Sequence, residues 1–186
     1  MIMNFKLIVV FLLVLSLLSC KEQQEKRRLK KLYEQNIGKQ VDFNEVKDSL
    51  EFLNISKDGF YNFGMLSEYK IVTQINANCE KCISRINNDW AGFLAKVNRD
   101  QVQAIFIIYT KRPRYFKEII LPDIEDCGIF IIDTKKYVFN HYQIPHDFIF
   151  QTFILDEKNE IISFGDPSLN NAYAELLLDK FAGKIE

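Results

Sequence analysis

Apolar residues change their spacing from one segment to the next, and each spacing predicts a type of secondary structure. Nearly continuous apolar runs of strand length span Tyr69–Ile75, Val102–Tyr109 and Gly128–Asp133. Runs of this kind are typical of strands buried on both faces of a sheet. Two shorter runs, Gln151–Asp156 and Glu160–Phe164, are separated by a polar turn, which predicts a β-hairpin.

Between the predicted strands, apolar residues recur with helical spacing. After the first long strand they define one face of a helix of about four turns: Ile83, Ile86, Trp90, Phe93, Leu94 and Val97. Further helices are predicted after Pro113 (with Tyr115, Phe116, Ile119 and Ile120 facing inward), over Lys135–Tyr142 and over Leu169–Phe181. Strands that alternate with helices predict parallel βαβ units, to which the hairpin adds antiparallel strands at one edge.

The chain upstream of these units predicts two further features. Residues 40–43, 49–55 and 60–65 predict short strands with a turn at 57–59, which together form an N-terminal β extension. Residues 1–19 carry one charge, Lys6, followed by an apolar run from Leu7 to Leu18. The run is shorter than the about 20 residues that a membrane-spanning helix needs, and it fits the apolar core of a secretory signal peptide.

The apolar run ends in Leu17-Leu18-Ser19-Cys20, which resembles a bacterial lipobox. The resemblance implies cleavage before Cys20, which then becomes a lipid-modified membrane anchor. We therefore expect a signal peptide over 1–19, a lipid-anchored tether over 20–36 and one domain over 37–186. The alternative is a plain N-terminal transmembrane helix or an uncleaved signal.

Charge and cysteine usage narrow the function. The formal net charge is −1, and nothing in the charge distribution indicates a nucleic-acid partner. Apart from Cys20, the chain contains a close pair, Cys79 and Cys82, and the separate Cys127. Structural disulfide frameworks use even numbers of cysteines at wide spacings, so the pattern favours a redox pair. Cys127, which directly precedes a strand, is predicted to be a small buried residue, with a regulatory or intermolecular disulfide as the weaker option.

The cysteine pair lies where the first long strand passes into the first helix. A helix N-terminus presents unpaired N–H groups and a partial positive charge, which favour a thiolate over a thiol. Cys79 at the helix tip is therefore the predicted nucleophile, and Cys82 lies one turn inside the helix. The alternative is a closed, inert disulfide or two reduced thiols in the core.

The order of elements, with the pair at the head of the first helix, resembles the thioredoxin fold. The segment Gln151–Ile161 is similar to the stretch T-T-F-L-I-D-x-x-G-x-I of TlpA/ResA-type envelope proteins. Ile37-Gly38-Lys39 and Gly165-Asp166-Pro167 resemble elements of short thioredoxin-like lipoproteins of gut-type Gram-negative bacteria. The resemblance covers residues 37–183 and implies an α/β, thioredoxin-like three-layer sandwich with a mixed central sheet and the N-terminal β extension.

The same resemblance implies a function. It indicates a thiol–disulfide oxidoreductase with Cys79 as the attacking sulfur and Cys82 as the resolving one, without a cofactor. Its partners are then protein thiols and disulfides of a bacterial cell envelope. The protein is expected to be held through its N-terminal lipid in the outer or inner membrane, facing the periplasm.

Two positions depart from this family. Asn78 replaces the tryptophan that usually precedes the first cysteine, and Phe150 occupies the slot of the cis-proline that faces the dithiol. We expect the substrate groove at Phe150 and Gln151. In the alternative of a binding module without redox turnover, Phe150 forms an apolar wall with Phe148 and Phe153 that suits one fixed partner.

These departures leave two alternative functions open. Sco-type copper chaperones share this fold and bind copper through two cysteines and a histidine, and His141 and His146 lie on the corresponding stretch. Two thiolates and an imidazole suit copper, so the alternative metal site consists of Cys79, Cys82 and His146. The second alternative is a thioredoxin-fold binding module that has lost redox turnover and holds one fixed partner.

Overall fold

The structure is a computed structural model that describes residues 5–54, 60, 67–124 and 127–184. It divides into two compact units, Met1–Asn36 and Ile37–Glu186. The first unit contains helix α1 (Phe5–Asn36). Ion pairs between residues four apart, such as Lys26 Nζ to Glu22 Oε1 at 2.7 Å, support its polar half. Within the described residues, no helix has the length and apolar character needed to cross a membrane.

The second unit is organised around one mixed sheet. The described residues contribute six strands to it: β1 (Glu51–Phe52), β2 (Tyr69–Asn76), β3 (Val102–Tyr109), β4 (Ile129–Ile132), β5 (Thr152–Leu155) and β6 (Ile161–Phe164). Their order in the sheet is β1-β4-β3-β2-β5-β6. β2, β3 and β4 are parallel, whereas β5 runs antiparallel to β2, and β6 antiparallel to β5. β2 and β3 pair along their whole length, so their carboxyl ends lie side by side at one edge of the sheet.

Helices connect the strands. α2 consists of Glu80–Arg85, a π turn at Ile86–Trp90 and a last turn at Ala91–Leu94; α3 consists of Pro113–Tyr115 and a π turn at Phe116–Ile120; α4 is Tyr137–His141 and α5 is Asn171–Phe181. Local sequence explains where two of them begin. Proline suits the first position of α3 because it lacks the N–H that would have no helical partner there. The side chain of Asn170 accepts a hydrogen bond from Tyr173 N at 3.1 Å and caps α5.

The core lies on both faces of the sheet. On the face covered by α2 and α5, the Trp90 ring packs edge-on against Phe106, and Phe106 stacks on Phe130 with ring centroids 5.0 Å apart. On the opposite face, Phe139 of α4 packs against Phe153 of β5. A sheet between two helical layers is the predicted three-layer sandwich.

The long apolar runs predicted the central strands correctly, and β3 has the predicted bounds. Trp90 is fully buried, as the helical spacing predicts. The predicted inward face of α3 is partly wrong, because Tyr115 and Ile119 are 45% and 55% exposed while Phe116 is buried. The π turn in α3 shifts the following side chains around the helix axis, so a regular helical period misassigns them.

The N-terminal extension has less strand than predicted. Its described strand residues are β1, which pairs antiparallel with β4, and Gln40, which forms a single bridge to Glu160 beside β6. Between them lie two 3-10 turns, because Asp42 accepts a hydrogen bond from Asn44 N at 2.9 Å and so favours a turn over a strand. The predicted turn at 57–59 and most of the strand at 60–65 lie outside the described residues. β1 is the outer strand on one side of the sheet, and Gln40 lies beside β6 on the other. Each segment supplies hydrogen-bond partners for backbone groups that an open edge would leave unpaired.

Candidate active site

The two cysteines lie at the carboxyl edge of β2. Cys79 has extended backbone angles (φ −116°, ψ 111°) and forms the N-cap of α2. Its carbonyl oxygen accepts the first helical hydrogen bond, from Cys82 N at 3.0 Å, which places the two residues one turn apart. Both are free thiols, and both side chains are partly exposed. The structure therefore has the predicted arrangement of the pair at the head of the helix.

Asn78 stabilises the loop that carries Cys79. Its side-chain amide donates to Asn76 Oδ1 at 3.0 Å, and its Oδ1 accepts from Lys111 N at 2.9 Å. The backbone adds a hydrogen bond from Ala77 N to Tyr109 O at 2.9 Å. Asn78 thus links the loops that follow β2 and β3, and it holds Cys79 in place.

The two thiols differ in acidity. The pKa of Cys79 lies below its ordinary value, chiefly because the Cys82 thiol donates a hydrogen bond to the Cys79 sulfur, and further because the N–H groups of Cys82 and Lys81 face it. No N–H group caps the Cys79 side chain with full hydrogen-bond geometry, so these amides act mainly through their dipoles. Burial, followed by the hydrogen bond to Cys79 and the charge on that sulfur, raises the pKa of Cys82 to about 11.

Arg85, one turn after Cys82, connects α2 to the segment that follows β6. Its guanidinium donates to Asp166 Oδ2 at 2.6 Å and to Ser168 Oγ at 2.8 Å, while its Nε donates to Asp89 Oδ2 at 3.3 Å. The side chains of Arg85 and Asp166 are 18% and 13% exposed, so this pair is shielded from solvent better than an ordinary surface pair. The pair anchors the dithiol helix, and the Arg85 charge lowers the pKa of Cys82 against the effect of burial.

The segment before β5 differs from the expected groove. Phe150 is fully buried and packs edge-on against Phe164, with ring centroids 4.9 Å apart. The ring of Phe150 is part of the core. It therefore presents no surface to a substrate, contrary to the expected groove and apolar wall at this residue. The exposed apolar side chains of this turn are Phe148 and Ile149, and Gln151 is partly exposed. No cis peptide bond occurs among the described residues, so the Phe150 position is reached by an ordinary trans chain.

The histidines of the alternative metal site lie elsewhere. His146 Nε2 contacts Asn140 Oδ1 at 3.2 Å, and its ring faces Phe139. His141 Nε2 lies 2.8 Å from Glu45 Oε2. The described part of the chain contains no group of three or more His, Cys, Asp or Glu side chains arranged to hold a metal ion. The chain therefore does not bring His146 to the two sulfurs, and the three-ligand copper site has no counterpart in this geometry.

Cys127 is buried at the entrance of β4, as predicted. Sequence reasoning missed a different feature, which lies between α2 and α3. A cavity of about 490 Å³ is lined by Ala77, Asn78, Glu80, Ile83, Ser84, Arg112, Tyr115 and Ile120. The sequence could have indicated this cavity, because Arg112 follows β3 directly and the cysteine loop follows β2. The carboxyl ends of neighbouring parallel strands lie at the same edge of a sheet, so these segments are expected to meet.

Comparisons with solved structures support the architecture. The thioredoxin domain of a thiol-disulfide oxidoreductase from Bacteroides vulgatus aligns over 75% of this chain and 96% of its own, with 13% identity and a TM-score of 0.51. The fold is thioredoxin-like. A thioredoxin-like protein from Bacteroides caccae aligns over 86% of this chain and 55% of its own, with 15% identity and a TM-score of 0.50.

A protein from Chlorobium tepidum, provisionally named thiol:disulfide interchange protein DsbE, gives a similar result. It aligns over 78% of this chain and 97% of its own, with 14% identity and a TM-score of 0.51. At these identities the similarity to thioredoxin-like proteins concerns the fold. No protein-family model and no curated protein sequence matches the chain.

Proposed function

We propose that this protein is a membrane-anchored thiol–disulfide oxidoreductase of the bacterial cell envelope that acts on protein thiols and disulfides through Cys79 and Cys82. The observation that carries the proposal is the position of two partly exposed thiols one turn apart at the head of α2, and the opposite shifts of their pKa values agree with it. Exchange needs a reactive thiolate that meets the substrate and a second thiol that stays protonated until it is required. Cys79 fits the first role and Cys82 the second.

The first step is an attack by the Cys79 thiolate on one sulfur of a substrate disulfide. The mixed disulfide forms as the substrate S–S bond breaks, and the departing sulfur takes a proton from solvent. In the second step Cys82 gives its proton to solvent, its thiolate attacks Sγ of Cys79, and the other substrate sulfur leaves and takes up a proton. The substrate gains two electrons, the dithiol becomes a disulfide, and an external dithiol reduces it again.

The geometry supports the order of these steps. While Cys79 is a thiolate, its charge and its hydrogen bond both hold the proton on Cys82. Neither effect survives once the Cys79 sulfur is part of a mixed disulfide, whereas Arg85 and Lys81 still lower the pKa of Cys82. Cys82 therefore becomes more acidic only after the first step, when its thiolate is needed to resolve the mixed disulfide.

Reduction of insulin with dithiothreitol as the electron source tests the proposal. We expect Cys79→Ser to abolish turnover and Cys82→Ser to accumulate mixed disulfides, because the resolving thiol is gone. Cys127→Ser is the matched control, since that buried thiol lies outside the pair, and it should retain activity. A wild-type chain that reduces no insulin, together with a Cys82→Ser chain that captures no protein, would refute the oxidoreductase role.

Membrane anchoring through lipidated Cys20 is the second part of the proposal, and it rests on the lipobox-like sequence. More than one acyl chain is needed for stable anchoring, and the lipid group usual for bacterial lipoproteins provides this. Metabolic labelling with a fatty acid should mark the wild-type chain in the membrane fraction. Cys20→Ser should lose both the label and the membrane association, and a labelled Cys20→Ser chain would contradict this site.

A further inference from the structure

The cavity between α2 and α3, called here the α2–α3 cavity, adjoins the reactive cysteine. Asn78 and Glu80, the two chain neighbours of Cys79, both line it. Consecutive residues of an extended peptide are about 3.3–3.6 Å apart, so a peptide joined to Cys79 reaches the cavity with its next one to three residues. Its volume of about 490 Å³ lies within the range of ordinary ligand sites and is large enough for one or two side chains.

The wall formed by α3 carries a preordered cation. The Arg112 guanidinium lies over the Tyr115 ring, 4.8 Å from its centroid, at an exposed site. Stacking of this kind restrains the side chain but leaves the edge N–H groups of the guanidinium available. Within the described residues, no carboxylate forms an ion pair with Arg112. The α2–α3 cavity thus contains a fixed guanidinium with unused donors, which suits a carboxylate.

The surrounding charges favour an acidic ligand. Lys81 follows Glu80 in the first turn of α2, and Lys111 precedes Arg112; both are exposed and form no ion pair in the part of the chain that the structure describes. Glu80 is the one acidic side chain on the cavity wall, and it lies in the first turn of α2. The positive end of the helix offsets a carboxylate in that turn, whereas nothing comparable offsets Arg112. The cavity wall and the residues adjoining it in the chain thus carry three cations, Arg112, Lys81 and Lys111, and one carboxylate, Glu80.

We propose that the α2–α3 cavity binds the residues next to the reacting cysteine of a peptide or protein disulfide and selects substrates with Asp or Glu there. The Arg112 guanidinium binds the substrate carboxylate, and the apolar parts of Ile83, Tyr115 and Ile120 contact its aliphatic stem. This inference rests on the proposed oxidoreductase function and assigns its substrate specificity to one side chain that does not take part in the chemistry.

A set of three peptide disulfides tests this specificity with the full chain and dithiothreitol as reductant. The peptides are identical except for one residue, two positions after the disulfide-bonded cysteine, which is Glu, Gln or Lys. We expect kcat/KM to fall in the order Glu, Gln, Lys, by about three- to fivefold per step at low salt and through KM, as for a partly exposed ion pair. The differences should shrink at high ionic strength because salt screens the exposed charges.

Substitutions at Arg112 then assign the effect. Arg112→Gln should equalise the three peptides, and Arg112→Glu should reverse their order. The matched control is Arg114→Gln, because Arg114 is paired with Glu118 at 2.8 Å and does not line the cavity. Far-ultraviolet circular dichroism verifies that each variant is folded.

The outcomes separate this inference from the function on which it rests. Equal reduction of all three peptides by the wild-type chain overturns the specificity and leaves the oxidoreductase role intact. A Glu preference that persists in both Arg112 variants also overturns it. Failure to reduce any of the peptides refutes the oxidoreductase role and this inference with it.

Discussion

Removing the sulfur of Cys79 should lower the pKa of Cys82, whereas removing the sulfur of Cys82 should raise the pKa of Cys79. In the intact pair the pKa of Cys82 is about 11, so at pH 8 only about one Cys82 side chain in a thousand is a thiolate. Three effects raise this pKa; two of them come from Cys79, but burial is the largest. A shift of the pKa from 9.0 to about 11 lowers the thiolate fraction at pH 8 about a hundredfold. We expect Cys79→Ala to restore about half of this on a logarithmic scale, which is a rise of about tenfold in the thiolate fraction of Cys82.

The reciprocal variant makes the test stringent. Cys82→Ala removes the hydrogen bond that contributes most to the low pKa of Cys79, so that pKa should rise and less thiolate should be present near neutral pH. Burial alone would leave both residues unaffected by the loss of the other sulfur. A direct electrostatic and hydrogen-bonded pair instead predicts a more acidic Cys82 in one variant and a less acidic Cys79 in the other.

Titration of 13C-labelled cysteine β-carbons between about pH 5 and about pH 12 measures both thiols by NMR. All chains carry Cys127→Ser, so that the remaining signals belong to the pair and to Cys20. If Cys82 titrates near its ordinary pKa in the intact pair, or does not respond to Cys79→Ala, then the mechanism that delays resolution is wrong.

The remaining predictions concern stability, measured by urea unfolding followed by circular dichroism. A β-carbon on Gly128 would lie 2.7 Å from a backbone oxygen of β3, so Gly128→Ala should lower the free energy of unfolding by about 1–3 kcal/mol. The matched control is Gly92→Ala, which has open space around its β-carbon and should stabilise α2 by about 0.5–1 kcal/mol. Equal effects would contradict the close approach. Trp90→Ala should cost about 3–5 kcal/mol because the ring is fully buried, and Trp90→Phe clearly less because the indole N–H has no partner among the described residues. Asp166→Asn should cost about 1–3 kcal/mol by weakening the bond from Arg85, and an unchanged midpoint would show that this ion pair contributes little.

Local sequence was a sufficient guide where neighbouring residues determine the structure. The continuous apolar run of β3 can be buried only as a central strand, and its bounds follow from where the run begins and ends. The position of the cysteine pair also follows, because a strand that passes directly into an amphipathic helix leaves the intervening residues at the helix N-terminus. Periodicity failed in α3 because the π turn at Phe116–Ile120 breaks the regular spacing that the prediction assumes.

Contacts between distant parts of the chain decided the rest. Arg85 and Asp166 are 81 positions apart, and no spacing in the sequence indicates that they meet. The position before β5 is a second example. The sequence predicted Phe150 beside the dithiol, but only the tertiary structure shows that its ring packs against Phe164 in the core.

The sequence by itself therefore determined the central strands, the position of the cysteine pair and the thioredoxin-like order of elements, because hydrophobic spacing and helix ends are properties of short segments. The tertiary structure alone decided which side chains surround the pair, because burial and charge pairing depend on segments that meet only when the sheet assembles. The buried Phe150, the displaced histidines and the Arg112 cavity are all of this second kind.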